Sequence, residues 1–250
     1  MNLLTLVEIR ELNILVYGGS DTAMINTVNQ HFPHSRLETL AQDLLRVGLQ
    51  YRFDWETSWS IVSDQYFEYI IEFTYRGLTP DEPINFVYHV GYNLILGDYE
   101  AHCGYIRIPK HLQKQSISRH INKAFFNHYK SLNVKWVTLY ATLEAGGYVW
   151  ATAGFSAVYK ADVELILQTV RRKMSEGLLT ELNEEDVESL QEDFDQHYES
   201  GSTEPFPLYN WTADRNIGYE ILVKSKWEGV LDLENPSQVL IFETYLNSKP

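Results

Sequence analysis

The stretch of the chain that decides the fold is residues 101–155, AHCGYIRIPKHLQKQSISRHINKAFFNHYKSLNVKWVTLYATLEAGGYVWATAGF. It begins inside a strand predicted from about Glu100 to Ile108, which stops at Pro109 because proline cannot donate a ladder hydrogen bond. The apolar residues then recur at helical spacing, which predicts a helix up to Leu132. The apolar residues on this helix face are Ile117, Ile121, Ala124, Phe125 and Tyr129.

A second strand and a second helix follow in the same stretch. Alternating side chains from Val134 to Thr142 predict a strand, and a short helix through Tyr148 and Trp150 ends at Gly154. One more short strand is predicted at residues 155–159. Strands and helices that alternate in this way require at least one right-handed crossover between parallel strands. The sequence therefore predicts an α/β fold with a mixed, partly parallel central sheet flanked by helices.

The residues before this stretch supply further strands and one helix. Short apolar or alternating segments predict strands at Leu12–Tyr17, Phe67–Tyr75, Ile84–His89 and Tyr92–Leu96. The last two form one strand if Gly91 marks a bulge. Ser35 and Glu38 form a capping box for a helix that Gly48 is expected to end.

The residues after this stretch predict a mostly helical region. Helices are expected at about Val163–Met174, after a cap at Asn183, and from Asn235-Pro236 onwards, with a strand at Tyr219–Val223. We expect residues 1–250 to form a single domain. Its core covers about 60–160 plus about 215–225, with an N-terminal extension (1–59) and a helical C-terminal region (161–250).

The charges are distributed unevenly along the chain. The formal net charge is −14, which disfavours nucleic-acid partners and favours a cationic substrate. Residues 101–143 nevertheless contain no Asp or Glu, and they hold seven of the 20 Lys and Arg residues. This basic island indicates an anion site, and the alternative is a solvated helix face whose charges cluster by chance.

Several classes of protein and site are disfavoured by what the sequence lacks. No apolar run reaches the ~18 residues that would span a bilayer, and the N-terminal residues do not resemble a secretory signal. We therefore expect a cytoplasmic protein with no membrane span. The single cysteine, Cys103, excludes an internal disulfide and a cysteine-rich metal site, and we expect no metal. The formation of a homodimer stays open.

Two short motifs flank the second predicted strand. The first is Gln113-Lys114-Gln115-Ser116-Ile117-Ser118, between the first strand and its helix, and the second is Gly154-Phe155. Together with the order of elements, they resemble the core of the GNAT superfamily of N-acyltransferases over roughly residues 84–160. The phosphate loop of that family reads Gln/Arg-x-x-Gly-x-Gly/Ala, and here serine stands at both glycine positions.

The resemblance implies a CoA thioester cofactor, either acetyl-CoA or a longer acyl-CoA. Its diphosphate would bind at the helix start, where unpaired backbone N–H groups and the helix dipole favour an anion. The alternative for this loop is an ordinary polar loop with Ser118 as the N-cap. The candidate cofactor-binding residues are Ile106, Ile108, Gln113, Lys114, Ser116, Ile117, Ser118 and Arg119.

The catalytic residues of the family are not at their usual positions here. The resemblance implies a strand glutamate as base and a helix tyrosine as acid, but these positions hold Gly104 and Trp150. His102, Glu144 and Tyr148 are the candidate catalytic residues, since each lies close to one of those positions or to the end of the second strand. The structural alternatives are a strand histidine for His102 and a helix-start carboxylate for Glu144.

The resulting expectation is an acyl-CoA-dependent N-acyltransferase that acts on an amine, either a small molecule or a cationic peptide. A catalytically inactive GNAT-like protein-interaction module is the alternative, because the loop glycines and the acid tyrosine are replaced. A hydrolase or nuclease is a weaker third interpretation, since no metal-ligand spacing is found.

Overall fold

The structure is a computed structural model that describes residues 14–16, 26, 37–51, 54–63, 67–76, 84–93, 98–113, 115–199 and 201–248. The chain divides into two units. The first unit comprises residues 1–137 and 246–250, and the second comprises residues 138–245.

The first unit contains a mixed five-stranded sheet. Its strands lie side by side in chain order: β1 (Ile14–Val16), β2 (Asp54–Ser63), β3 (Phe67–Arg76), β4 (Ile84–Asn93) and β5 (Asp98–Arg107). The β1–β2 pair is parallel, and the other three pairs are antiparallel. Helix α1 (Leu37–Gln50) packs against helix α2 (Ile117–Leu132), and α2 also contacts β5. The predicted α/β class, with a partly parallel sheet and flanking helices, is confirmed.

The core of the first unit forms where α2 meets β4. Ile117, Ile121 and Phe125 lie on one face of α2 and are fully buried, as their helical spacing predicts. The ring of Phe125 stacks on that of Tyr88 with 3.7 Å between the centroids. Asn133 ends the helix in the left-handed conformation, with φ at 56°. The start of α2 is therefore fixed by core packing as well as by its own hydrogen bonds.

The second unit is built from short strands and most of the helices. Strand β6 (Trp136–Ala141) enters it, and β8 (Trp227–Asp232) lies between β6 and β7 (Ser156–Ala157), pairing with β7 in antiparallel fashion. Its helices are α3 (Gly146–Thr152), α4 (Lys160–Ser175), α5 (Glu184–Glu199), α6 (Arg215–Leu222) and α7 (Pro236–Asn247), the last of which ends in the first unit.

One predicted strand is a helix in the structure. The prediction of a strand at Tyr219–Val223 is wrong, because this segment belongs to α6 and its last residue follows the helix end. The Asp214 side chain caps α6 by accepting hydrogen bonds from the backbone N–H groups of Asn216 and Ile217. The strand of this region is β8 instead, which the sequence analysis missed.

Smaller differences concern two glycines, and the predicted cap at Asn183 and helix start at Asn235-Pro236 are confirmed. Gly48 does not end α1, which continues to Gln50, and the register irregularity of β4 lies between Val87 and Tyr88 rather than at Gly91. Asn183 accepts from the Asp186 N–H at 3.0 Å, and Asn235 accepts from the Ser237 N–H at 3.0 Å. Ser35, the first residue of the predicted capping box, lies outside the described residues.

Among the helices that the structure describes, none combines the length and apolar character needed to cross a bilayer.

Candidate functional site

The loop between β5 and α2 turns sharply before the helix begins. The backbone N–H of Leu112 donates to the Pro109 carbonyl at 2.9 Å, which closes a 3₁₀ turn over Lys110–Leu112. The Gln113 side chain folds back and donates from Nε2 to the Ile108 carbonyl at 3.0 Å. The leading glutamine of the motif therefore joins the loop to the end of the strand.

Ser116, at the first glycine position of the motif, has a left-handed backbone conformation that glycine adopts more easily than serine. It is the N-cap of α2 and has φ at 62° and ψ at 12°, in the left-handed region. A left-handed residue followed by a right-handed helix turns successive backbone N–H groups, here those of residues 116–118, toward one concavity that favours anions. The alternative that Ser118 is the N-cap is wrong, because the helix already begins at Ile117.

The hydroxyl of Ser116 does not serve as a helix cap. An N-cap serine normally has an extended backbone, which directs its oxygen toward the next N–H groups, and the left-handed φ of Ser116 prevents this. Its Oγ is buried and has no hydrogen-bond partner in the part of the chain that the structure describes. The first turn of α2 contains no acidic residue. The helix start thus offers an uncapped dipole to a ligand.

Replacement of Ser116 by glycine is expected to raise the free energy of unfolding by about 1 kcal/mol, because it removes left-handed strain and a buried hydroxyl without a partner. Ser116→Ala is the matched control, since it removes the hydroxyl and keeps the strain, so it should be the less stable of the two variants. Urea denaturation followed by circular dichroism measures both values. A glycine variant less stable than the alanine variant would contradict the assignment of strain to this residue.

Tyr51 and His120 join α1 to this loop. The Tyr51 hydroxyl donates to the Gln115 carbonyl at 2.6 Å, and its oxygen lies 2.9 Å from His120 Nδ1. Burial, followed by the charges of Lys123 and Arg119, lowers the pKa of His120 and so favours the neutral imidazole. The sequence analysis missed both residues, because Tyr51 is 64 positions from Gln115 and no local motif connects them.

The remaining cofactor-binding candidates differ in how they can contact a ligand. Ile117 is 1% exposed, so its side chain belongs to the core and does not contact a ligand. Arg119 donates from Nη1 to the Ser248 carbonyl at 2.9 Å, which attaches residue 248 to the helix start. Ile106, Ile108 and Ser118 are half-buried at the two ends of the loop, and Lys114 lies outside the described residues.

His102, in the first unit, has the surroundings of a strand histidine. It is half-buried on β5 and lies opposite His89 of β4, with 5.7 Å between the ring centroids. A Cβ at Gly104, the position of the family glutamate, would lie 3.2 Å from His89 Nε2. The neighbouring Cys103 is buried, and burial raises the pKa of its thiol to about 12, so it is not a nucleophile.

Glu144 and Tyr148, in the second unit, contact different partners. Glu144 is exposed, and its carboxylate lies 3.9 Å from Lys224 Nζ, while its carbonyl accepts from the Lys224 N–H at 2.7 Å. Tyr148 packs edge to face on Tyr219 with 5.5 Å between the centroids. Tyr148 is half-buried.

No metal site accompanies these residues, and the comparisons with other proteins give no family. Within the described ranges, no group of three or more His, Cys, Asp or Glu side chains is placed to hold a metal ion. No protein-family model, curated protein or solved structure matches the chain. The resemblance to GNAT acyltransferases therefore depends on the residues of this sequence alone.

Proposed function

We propose that the chain is a GNAT-type, acyl-CoA-dependent N-acyltransferase that binds the cofactor diphosphate at the start of α2. One observation carries the proposal: Ser116 is left-handed at the first glycine position of the motif, directly before a helix with no side-chain cap. A serine is rarely held in this conformation without a reason, and such strain clusters at binding sites.

The binding groups of the proposed site are mostly backbone groups. The N–H groups of residues 116–118 would donate to the diphosphate, with Lys114 and Arg119 supplying positive charge. Backbone N–H groups at Ile106 and Ile108 would bind the thioester carbonyl of acetyl-CoA or a longer acyl-CoA. The Cβ atoms of Ser116 and Ser118 leave the diphosphate less room beside the backbone than glycine would. The backbone N–H donors are nevertheless still present.

The proposed reaction transfers the acyl group to an amine. The amine nitrogen attacks the thioester carbon, the carbon–sulfur bond breaks, a base takes the amine proton and an acid protonates the thiolate. His102 and Glu144 are the candidates for the base, and Tyr148 is the candidate for the acid. The net charge of −14 favours a cationic acceptor such as an amine or a basic peptide, and a cytoplasmic location suits a CoA thioester.

Thermal unfolding in the presence of a panel of acyl-CoAs tests the cofactor. Acyl-CoA at 100 times its Kd should stabilise the native chain by about 2.7 kcal/mol. Lys114→Glu plus Arg119→Glu should abolish this shift, because it places two negative charges beside the diphosphate. The matched control is Lys130→Glu plus Lys226→Glu, which changes the net charge equally at exposed residues outside residues 113–119. Absence of a shift with every acyl-CoA would refute the proposal.

A catalytically inactive binding module is the second candidate, and one observation favours it. Trp150, at the position of the family's acid tyrosine, is buried and packs on Phe155 with 5.2 Å between the centroids. An indole N–H cannot protonate a thiolate. Free thiol release over a panel of amines separates the two candidates, because the binding module would take up acyl-CoA without turnover.

A further inference from the structure

The orientation of the peptide group between Gln115 and Ser116 is set by a residue far away in the sequence. The Tyr51 hydroxyl donates to the Gln115 carbonyl at 2.6 Å. In a trans peptide, the C=O and the N–H of the same plane point in opposite directions. The N–H of Ser116 therefore faces away from Tyr51, as the first of the three N–H groups at the helix start.

The position of the hydrogen between Tyr51 and His120 follows from the same bond. A carbonyl has no hydrogen to donate, so the single hydroxyl hydrogen of Tyr51 lies toward Gln115. His120 Nδ1, 2.9 Å from the Tyr51 oxygen, must then carry a hydrogen and donate it. The result is a directed chain from the His120 N–H through the Tyr51 hydroxyl to the Gln115 carbonyl.

The backbone of His120 also fixes the carbonyl group of Ser116. Its backbone N–H donates to the Ser116 carbonyl at 3.0 Å as the first bond of the helix. The peptide before Ser116 and the carbonyl after it are thus fixed by the same pair of residues. A left-handed serine persists only where its surroundings over-determine it, and this double attachment provides that constraint.

We propose that Tyr51, held by His120, is a positioning residue that presents the Ser116 N–H to the phosphate of the cofactor. This inference rests on the proposed function. It gives α1, which lies outside the predicted core, a role at the site, since Tyr51 directly follows that helix. Tyr51 itself does not touch the reacting atoms.

Tyr51→Phe tests the inference, because it removes the hydroxyl and keeps the ring. We expect CoA, titrated by calorimetry at pH 7, to bind this variant about tenfold more weakly, as is typical when one hydrogen bond to a charged group is lost. The amide ¹⁵N and ¹H resonances of Ser116 should shift in the absence of CoA. Tyr105→Phe is the matched control at an exposed tyrosine of the same unit, and its affinity should stay within about twofold of the wild type.

The outcomes separate this inference from the proposed function. If the wild-type chain does not bind CoA, the proposed function fails. If the wild type binds and Tyr51→Phe binds equally well, or only unfolds at lower temperature with an unchanged Kd, Tyr51 has a structural role and the inference is overturned. His120→Leu provides a second variant should Tyr51→Phe not fold. It removes the donor to Tyr51 and should weaken CoA binding about threefold, and an unchanged Kd would equally overturn the inference.

Discussion

Gly147→Ala is expected to lower the free energy of unfolding by about 3 kcal/mol, at the upper end of the usual cost of overpacking. Gly147 lies in α3, where a Cβ would overlap Ser225 Oγ and stand 2.5 Å from the Leu222 carbonyl oxygen. Real Cβ atoms do not approach other atoms this closely, and the carbonyl belongs to the end of α6 rather than to a flexible side chain. The two helices must therefore separate. Thermal and urea denaturation measure the loss.

Gly146→Ala is the matched control for this effect. Gly146 is the neighbouring residue of the same helix, and the nearest atom to its added Cβ would be Leu143 Cβ at 3.6 Å, an ordinary contact. Alanine is the better helix former, so this variant should be unchanged or up to about 1 kcal/mol more stable. Equal stabilities of the two alanine variants would contradict the close approach of α3 and α6.

Acidification from pH 8 to pH 5 is expected to destabilise the first unit through His128. This imidazole is buried in α2, and burial lowers its pKa to about 3 from an ordinary value near 6.5. The unfolded chain then binds the proton at a higher pH than the folded chain, so stability is lost as the pH falls below about 6.5. The loss is about 2 kcal/mol at pH 5 and grows until the pH reaches the folded-state value.

The variant His128→Gln isolates this contribution. It should be less stable than the wild type at pH 8, because the buried ring is lost, and it should lose less stability between pH 8 and pH 5. Urea midpoints at four pH values in this window give the slope of stability against pH for the wild type and for the variant. Carboxylates contribute little to either slope, because most titrate at lower pH. Parallel slopes in the two proteins would show that His128 is not buried in its neutral form.

Elements whose local signals agree with their packing could be predicted from the sequence. Helix α2 begins at Ile117 and ends at Leu132 as its apolar spacing indicates, because that face meets the core. The strand expected at Tyr219–Val223 was wrong because a short apolar run fits a buried helix face equally well. The decisive signal was Asp214, a strong N-cap whose side chain bonds to two backbone N–H groups.

The sequence indicates which segment holds the candidate site, but it does not give the backbone conformation of that segment or its tertiary contacts. The basic island and the serine-containing loop make residues 113–119 the candidate anion site, because small residues and positive charge lie close together there in sequence. The left-handed φ of Ser116 could not be derived, since serine does not favour it and tertiary contacts impose it. Tyr51 could not be found either, because its bond to Gln115 joins residues 64 positions apart.

The central claim is that a phosphorylated cofactor binds to the backbone N–H groups at the start of α2. The most direct measurement is a titration of the ¹⁵N-labelled chain with CoA, followed by the amide resonances of Ser116, Ile117 and Ser118. We predict that these three amides shift downfield in ¹H with a common saturation curve, as N–H groups do when they donate to phosphate oxygens. CoA binding that leaves all three resonances unchanged, or no binding at millimolar CoA, would contradict the account.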